Sequence, residues 1–219
     1  MLSHALRARA DRAYVSNVEF VGAASGGTSA TIPTHAIDDL IILQINRIDL
    51  STATVTVPGG YTVVPGTSGI NATSWSYAGI YGQAGCYYKV ATTTSEVTGT
   101  WTNASIVTAI VLRGQHATTQ FGGVSREQNF ASNSANFPAL TIAAVKRANM
   151  LLGIAVCSNP AIPLDTSPAR MTNVYDATSG SYEAAVHIQK RAREWSDTYV
   201  NYSVGSGAIF TSVLEIISS

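Results

Sequence analysis

Charge is what this sequence has least of. Asp, Glu, Lys and Arg make up 12% of its 219 residues, about half of the usual share for a soluble protein. The 13 basic and 13 acidic residues cancel, so the formal net charge is zero. A protein whose main partner is nucleic acid needs a basic excess to neutralise phosphates, and this chain has none. The same balance gives little long-range attraction to a membrane surface.

Long apolar runs and an export signal are also missing. No apolar stretch reaches the roughly 18 residues that span a bilayer. The first residues carry Arg7, Arg9 and Arg12 where a signal peptide needs an apolar core. We therefore expect a protein that is made in the cytoplasm, is not exported by the usual route and has no membrane partner.

Cysteine is scarce. Only Cys86 and Cys157 are present, each inside an apolar, strand-like run. Two cysteines without nearby histidines do not make a zinc site, and the four histidines are scattered along the chain. We expect two buried, reduced thiols, with a disulfide as the alternative, and we expect no metal and no cofactor.

Catalytic motifs are absent as well. No Gly-x-Ser-x-Gly elbow marks a nucleophile. Asp165-Thr166-Ser167 faintly resembles an acid-protease loop, but Pro168 stands where that loop has glycine. We expect no enzymatic activity. A hydrolase that uses Asp165 or Asp38 on a jelly-roll scaffold is the weaker alternative.

The residues that are present indicate β-structure. Two runs, Asp39 to Ile45 and Ile106 to Leu112, are almost wholly apolar, which is typical of strands covered on both faces. Thr52 to Val57 alternates and predicts a shorter strand. Residues 2 to 13 are rich in Ala, Arg and Leu, and they are the only convincing helix candidate.

The second half of the sequence repeats features of the first. Phe20 and Phe130 are 110 positions apart (130 minus 20), and Ile41 and Leu151 share that spacing (151 minus 41). Later matches are closer: Lys89 with Lys190 at 101 positions (190 minus 89), and Ile106 with Ile209 at 103 (209 minus 106). The drop in spacing predicts that the middle loops of the second copy lost nine residues (110 minus 101).

A half of about five strands would leave sheet edges and one apolar face exposed. We therefore predict an all-β protein, a two-sheet antiparallel sandwich of jelly-roll type with internal duplication. Its predicted parts are a short N-terminal helical arm, residues 1–13, and a β-sandwich body, residues 14–219, built from the halves 14–114 and 120–219. Two separate sandwiches in tandem are the alternative.

Two groups of residues are candidates for contacts with partners. The arm offers an assembly anchor through Leu2, Leu6, Arg7, Arg9 and Arg12. Aromatic residues in the first half are candidates for a subunit interface or a glycan contact, namely Tyr61, Trp75, Tyr77 and Tyr81. Packing inside the fold is the competing interpretation of these aromatics.

The order of several short segments resembles the virion structural proteins of tailed bacteriophages. The segments are Thr31-Ile-Pro, Asp39-Leu-Ile-Ile-Leu, Pro58-Gly-Gly-Tyr-Thr, Tyr87-Tyr-Lys-Val-Ala and Leu112-Arg-Gly. That group usually carries Gly where this chain has Asp38, Trp in place of Tyr61, and a Tyr-x-Gly in place of the last segment. The resemblance covers residues 30 to 115 well and the second half loosely.

The resemblance implies a β-rich, non-enzymatic virion component that is tail-associated, fibre-associated or capsid-decorating. We therefore expect a symmetric homo-oligomer that contacts other virion proteins and is located in the virion. The alternative is an adhesin that binds a glycan or the host surface on the same scaffold.

Overall fold

The computed structural model describes residues 18–72, 74–77, 79–142, 149–192, 195–202 and 207–219, and it omits the side chains of Tyr77 and of residues 130–132 and 191–192. The predicted arm, residues 1–13, and its boundary at Tyr14 lie outside this range. The all-β prediction is confirmed, because the described residues form thirteen strands and a single 3-10 turn, Ile70–Ala72.

The first sheet contains strands from the first half of the chain only. Its members are β1 (Glu19–Gly26), β2 (Leu40–Asp49), β3 (Thr62–Val63), β4 (Ser74–Tyr77), β5 (Ile80–Val90) and β6 (Ile106–Arg113). The order is β1-β6-β2-β5-β3, β4 also pairs with β5, and every pairing is antiparallel. The two apolar runs of the sequence form β2 and β6, which are interior strands as predicted.

The second sheet contains strands from the second half. Its members are β7 (Phe121–Ser132), β9 (Asn149–Cys157), β10 (Thr172–Ser179), β11 (Tyr182–Ala192) and β13 (Gly207–Ile216), in the order β10-β11-β9-β13-β7. All of these pairings are antiparallel too. A separate two-stranded ribbon joins β8 (Ser134–Phe137) to β12 (Thr198–Asn201).

The two sheets pack face to face over a common apolar core. Leu40 and Ile42 of β2 belong to one buried cluster with Met150 and Leu152 of β9. The phenolic oxygen of Tyr182 reaches across the interface and donates to the carbonyl oxygen of Ile48 at 2.7 Å. The predicted jelly-roll topology is not confirmed, because strands of a jelly roll pass between the sheets, whereas each sheet here takes its strands from one half of the chain.

The outer faces of both sheets are covered as well. Trp101 is the largest buried side chain of the layer that covers the first sheet, and Phe137 lies in the layer that covers the second. Strands covered on both sides need mostly apolar residues on both of their faces. This requirement explains why β2, β6, β9 and β13 are nearly continuous apolar runs rather than alternating ones.

The two sheets share one strand order and one register. Ile42 lies between Tyr88 and Ile110, just as Leu152 lies between Ile188 and Leu214. The equivalent strands are therefore 110 positions apart for β2 and β9 (152 minus 42), 100 for β5 and β11 (188 minus 88) and 104 for β6 and β13 (214 minus 110).

The sequence matches place the strands in the correct order but not in the correct register. Phe20 lies opposite Leu112 and Phe121 lies opposite Ile216, so Phe121 rather than Phe130 is the counterpart of Phe20. The predicted spacings of 101 and 103 are each one residue away from those in the structure. A shift of one residue turns every side chain to the other face of a strand, so those matches were wrong.

The segment from Thr52 to Val57 is not a strand. The side chain of Asn71 replaces a neighbouring strand there, because it accepts from the Val55 amide at 2.9 Å and donates to the Val55 carbonyl oxygen at 2.7 Å. The backbone of an irregular loop must find such partners wherever it is buried. The alternating pattern is therefore a loop with one buried residue.

Candidate functional site

Tyr61, the first of the predicted contact aromatics, is half-buried in the outer layer of the first sheet. Its ring centroid lies 6.4 Å from that of Trp101, and its hydroxyl group donates to the carbonyl oxygen of Val97 at 3.0 Å. The Lys89 ammonium group lies 5.5 Å from the ring centroid, within the range of a cation–π contact. Burial, with a smaller effect from Glu96, raises the pKa of Tyr61 well above its usual range.

Trp75 lies between the two sheets instead. Its ring centroid is 4.2 Å from that of Phe210, and the ring covers Gly82, where an added Cβ would collide with it. Tyr81 alternates with Gly82 along β5 and is only half-buried. The structure therefore does not bring Tyr61 and Trp75 into one aromatic platform. The side chain of Tyr77 lies outside the described residues, as do the five anchor residues of the arm.

Three of the five segments that carry the resemblance, those of Asp39, Ala91 and Arg113, meet at one end of the first sheet. Asp39 accepts two hydrogen bonds from the Arg113 guanidinium, from Nε and Nη2, each at 2.7 Å. The same carboxylate accepts from the Ala36 amide at 2.8 Å. Burial alone would raise the pKa of Asp39, but the hydrogen bonds from Arg113 and Ala36 outweigh it and the pKa is lowered. Only 2% of Asp39 is exposed, so its carboxylate is fully occupied by these hydrogen bonds. We call this set of contacts around Asp39 and Arg113 the frame of the first sheet.

Backbone contacts complete the same frame. Asp38 donates to the carbonyl oxygen of Ala91 at 2.9 Å, and the Ala91 amide donates to the carbonyl oxygen of Asp39 at 2.8 Å. The Gln115 side chain donates to the carbonyl oxygen of Asp38 at 2.6 Å. Asp38 has a φ of 70°, a left-handed conformation that costs glycine least. Gly114 has a φ of 83° for the same kind of turn.

Lys89, from the Tyr-Tyr-Lys-Val-Ala segment, holds the turn that follows β5. Its ammonium group lies 2.5 Å from a carboxylate oxygen of Glu96, whose other oxygen accepts from the Thr92 amide at 2.9 Å. The hydrogen bonds from Lys89 and Thr92 lower the pKa of Glu96 to about 2. This basic residue of the motif therefore closes a turn and is not free for an acidic partner.

A serine–histidine pair in the second sheet is the strongest catalytic candidate that the structure offers. The Ser167 oxygen lies 3.2 Å from Nδ1 of His187, a residue with no exposed surface. Burial lowers the pKa of His187 to about 4, which keeps the ring neutral at pH 7. Asp165, the sequence candidate, is exposed in the loop before Ser167. Asp38 belongs to the frame of the first sheet.

The contacts of His187 fix the loop that contains Ser167. Nδ1 lies against the Ser167 hydroxyl group, and a hydrogen bond with the Leu164 backbone opposes the lowering of the His187 pKa. The pair then ties the loop to the sheet, much as the Tyr87 hydroxyl accepts from the Ile70 amide at 2.9 Å in the first sheet.

The thiol prediction is confirmed. Cys86 and Cys157 are both free and buried, and burial raises the pKa of Cys86 to about 12 and that of Cys157 to about 11. Within the described ranges no three His, Cys, Asp or Glu side chains come together in a way that could hold a metal ion. No helix in that part of the chain is both long and apolar enough to cross a membrane.

Arg126, which the sequence analysis did not single out, lines a cleft of about 520 Å³ at the side of the interface between the sheets. It lies on β7 opposite Ser212 of β13, and its Nη1 atom is 3.5 Å from the carbonyl oxygen of Ala84. The sequence did not reveal this role, because only the fold shows that Arg126 lies on the face of β7 that is turned toward the other sheet.

Comparison of the chain with protein-family models, with curated proteins and with solved structures finds no match.

Proposed function

We propose that this chain is a non-enzymatic structural component of a tailed-phage virion, in the tail, in a tail fibre or on the capsid surface. It assembles as a symmetric homo-oligomer and contacts other virion proteins. The observation that carries the proposal is the role of the resembling motifs. Asp39, Ala91 and Arg113 come from three of them, and they hold one another through an ion pair and backbone hydrogen bonds. Segments whose side chains and backbone stabilise the fold, rather than form a reaction centre, are what we expect of a structural protein.

The layering of the body supports the same role. Four central strands are buried on both faces, so their hydrogen bonds are shielded from water. Local opening requires exposed backbone bonds and few apolar contacts, and these strands have neither. The low charge of the chain leaves few exposed groups that repel a neighbouring subunit.

The proposal gives the N-terminal arm, residues 1–13, the role of an anchor. Leu2 and Leu6 dock against a neighbour, while Arg7, Arg9 and Arg12 pair with carboxylates of that neighbour. The arm carries 3 of the 13 basic residues of the chain. In this proposal the body, residues 14–219, consists of two halves that arose by duplication, and their shared strand order supports that origin.

Incorporation into particles tests the proposal. The test chain lacks residues 2–12, and two further variants separate the contributions, one with Leu2→Ser and Leu6→Ser and one with Arg7, Arg9 and Arg12 all changed to Gln. Gradient-purified particles are assayed for the chain by quantitative mass spectrometry. We expect each variant to reduce incorporation, with the truncation abolishing it. The melting temperature should stay within about 2 °C of that of the full chain, since a larger change would mean that about 1 kcal/mol of stability was lost.

Normal incorporation of the truncated chain would show that the arm is not an anchor. A melting temperature many degrees lower would instead place the arm in the core and move the boundary away from Tyr14. Absence of the full-length chain from particles would contradict the virion role itself.

The alternative function, an adhesin for a glycan or the host surface, has weaker support. Tyr61 covers Trp101 on the outer face of the first sheet, whereas Trp75 packs on Phe210 between the sheets. A sugar-stacking platform needs its rings on one exposed surface. Binding of the purified chain to host cells or to a glycan array, lost in Tyr61→Ala and retained in Trp75→Phe, would favour the adhesin.

A further inference from the structure

The pseudo-symmetry of the two sheets breaks at Arg126. The counterpart of Ser212 is Thr108, 104 positions earlier (212 minus 108), and the residue paired with Thr108 on the edge strand is Ser25. In the first sheet the Ser25 and Thr108 hydroxyl groups satisfy each other at 3.0 Å. In the second sheet the Arg126 guanidinium takes the place of the Ser25 hydroxyl group. A charged side chain therefore lies where the first sheet has a pair of neutral hydroxyl groups.

The charge of Arg126 has no counter-ion among the described residues. The ion pairs there join Arg47 to Asp49, Lys89 to Glu96 and Arg113 to Asp39. The neighbouring Glu127 is held by a hydrogen bond from the Asn136 side chain. Burial lowers the pKa of Arg126, and the only described ionisable group that affects it electrostatically is the Cys86 thiol. A half-buried cation without a counter-ion destabilises a fold unless its charge is compensated, so Arg126 is available to an anion that enters the cleft.

The cleft around Arg126 is suited to a small molecule. Its volume of about 520 Å³ lies within the roughly 300–1,000 Å³ of known ligand sites. Phe210, Val124 and Ala84 supply apolar walls. At its inner end Ser212 donates to the Gln44 side chain at 3.2 Å, and Gln44 donates to Asn46 at 2.9 Å, so polar groups continue from the cleft into the interface.

We propose that this cleft binds a small organic monocarboxylate. The carboxylate accepts two hydrogen bonds from the planar guanidinium of Arg126, and the apolar part of the ligand lies against Phe210 and Val124. A dianion such as a phosphate fits less well, because Arg126 is the only cation among the described residues that line the cleft and Glu127 lies beside it. This inference does not depend on the virion proposal.

The test compares phenylacetate with its neutral isostere phenylacetamide, and with phenylphosphonate as the dianion. Binding to the full chain is followed by isothermal titration calorimetry and by amide chemical shifts. We expect saturable binding of phenylacetate that is about tenfold to a hundredfold tighter than that of the amide, which is the usual effect of charge-assisted hydrogen bonds. Amide shifts should be concentrated at Ala84, Val124 and Phe210.

Variants separate the site from general charge effects. Arg126→Gln should weaken phenylacetate binding by the same tenfold to hundredfold factor. Arg126→Lys keeps the charge but loses the paired N–H groups of the guanidinium, so it should weaken binding less. Lys190→Gln is the matched control, because it removes one positive charge from an exposed position on β11 and should leave binding unchanged.

Equal affinity for acid and amide, no saturable binding, or unchanged binding in Arg126→Gln would each overturn the proposal. The comparison of acid and amide uses the unmodified chain, so it decides the question even where a variant fails to fold. Tighter binding of the phosphonate than of the carboxylate would overturn the assignment of a monocarboxylate.

Discussion

Tyr87 and Tyr88 are neighbours in the sequence, yet the structure gives them opposite surroundings. The Tyr88 ring lies 4.9 Å from the ring of Phe121, edge to face, across the interface between the sheets. The Tyr87 ring lies 4.8 Å from that of Trp101 in the outer layer of the first sheet. If the sheets share a core, Tyr88 is energetically coupled to Phe121 and Tyr87 is not.

A double-mutant cycle measures this coupling. Tyr88→Leu and Phe121→Leu remove the rings while keeping apolar volume, and each should lower the free energy of unfolding by about 1–3 kcal/mol. Aromatic pairs in this geometry contribute about 0.5–1.5 kcal/mol beyond their buried area, so the double variant should lose that much less than the two single losses together. The parallel cycle of Tyr87→Leu with Phe121→Leu should be additive within about 0.3–0.5 kcal/mol.

The assay is urea unfolding at pH 7, followed by far-UV circular dichroism and by tryptophan fluorescence. Coincident transitions from the two probes justify the use of a single free energy of unfolding. Coupling of Tyr88 to Phe121 below about 0.3 kcal/mol would refute the shared core. Equal coupling of Tyr87 and Tyr88 to Phe121 would refute the assignment of their faces.

Three further predictions concern charge, backbone and thiols. Asp39→Asn should lower the free energy of unfolding at pH 7 by about 1–3 kcal/mol, less than for a fully buried pair because Arg113 is half-exposed. The folded-state pKa of Asp39 is lowered, so its contribution to stability is present above the unfolded pKa and is lost as the pH falls through the folded value. Urea unfolding of the unmodified chain and of Asp39→Asn should therefore show a smaller difference in free energy at pH 3 than at pH 7. A difference that stays constant would contradict the linkage. Asp38→Val should lower the free energy of unfolding by about 1–3 kcal/mol because residue 38 has a φ of 70°, while Asp38→Gly should not lower it measurably. Equal losses of stability in thermal unfolding of the two variants would count against backbone strain at this position. Cys86 and Cys157 should react slowly with a thiol reagent until denaturant is added, since burial raises both pKa values, and rapid labelling of the native chain would show that a thiol is exposed.

The sequence was most informative where burial dictates composition. The apolar runs of β2 and β6 predicted interior strands, because a strand covered on both faces is mostly apolar on both. The register was less predictable. Many Thr, Ala and Ile residues match one another at neighbouring offsets, so Phe20 could be paired with Phe130 while its counterpart in the fold is Phe121.

Features that depend on contacts distant in sequence were not predictable. Thr52 to Val57 alternates like a strand, but the Asn71 side chain takes the hydrogen bonds of Val55. The cleft at Arg126 exists only because an edge strand of one sheet faces β5 of the other. The segments around Asp39 and Arg113 could be singled out from the sequence, but the ion pair and hydrogen bonds that join them required the fold.

A cryo-electron microscopy map of phage particles whose genome encodes this chain tests the proposed virion role most directly. The prediction is symmetric density that accommodates the two-sheet body, with further density leading from Val18 to a neighbouring subunit. A map in which other chains fill all the symmetric density, together with mass spectrometry that detects none of this chain in the same particles, would contradict the proposed role.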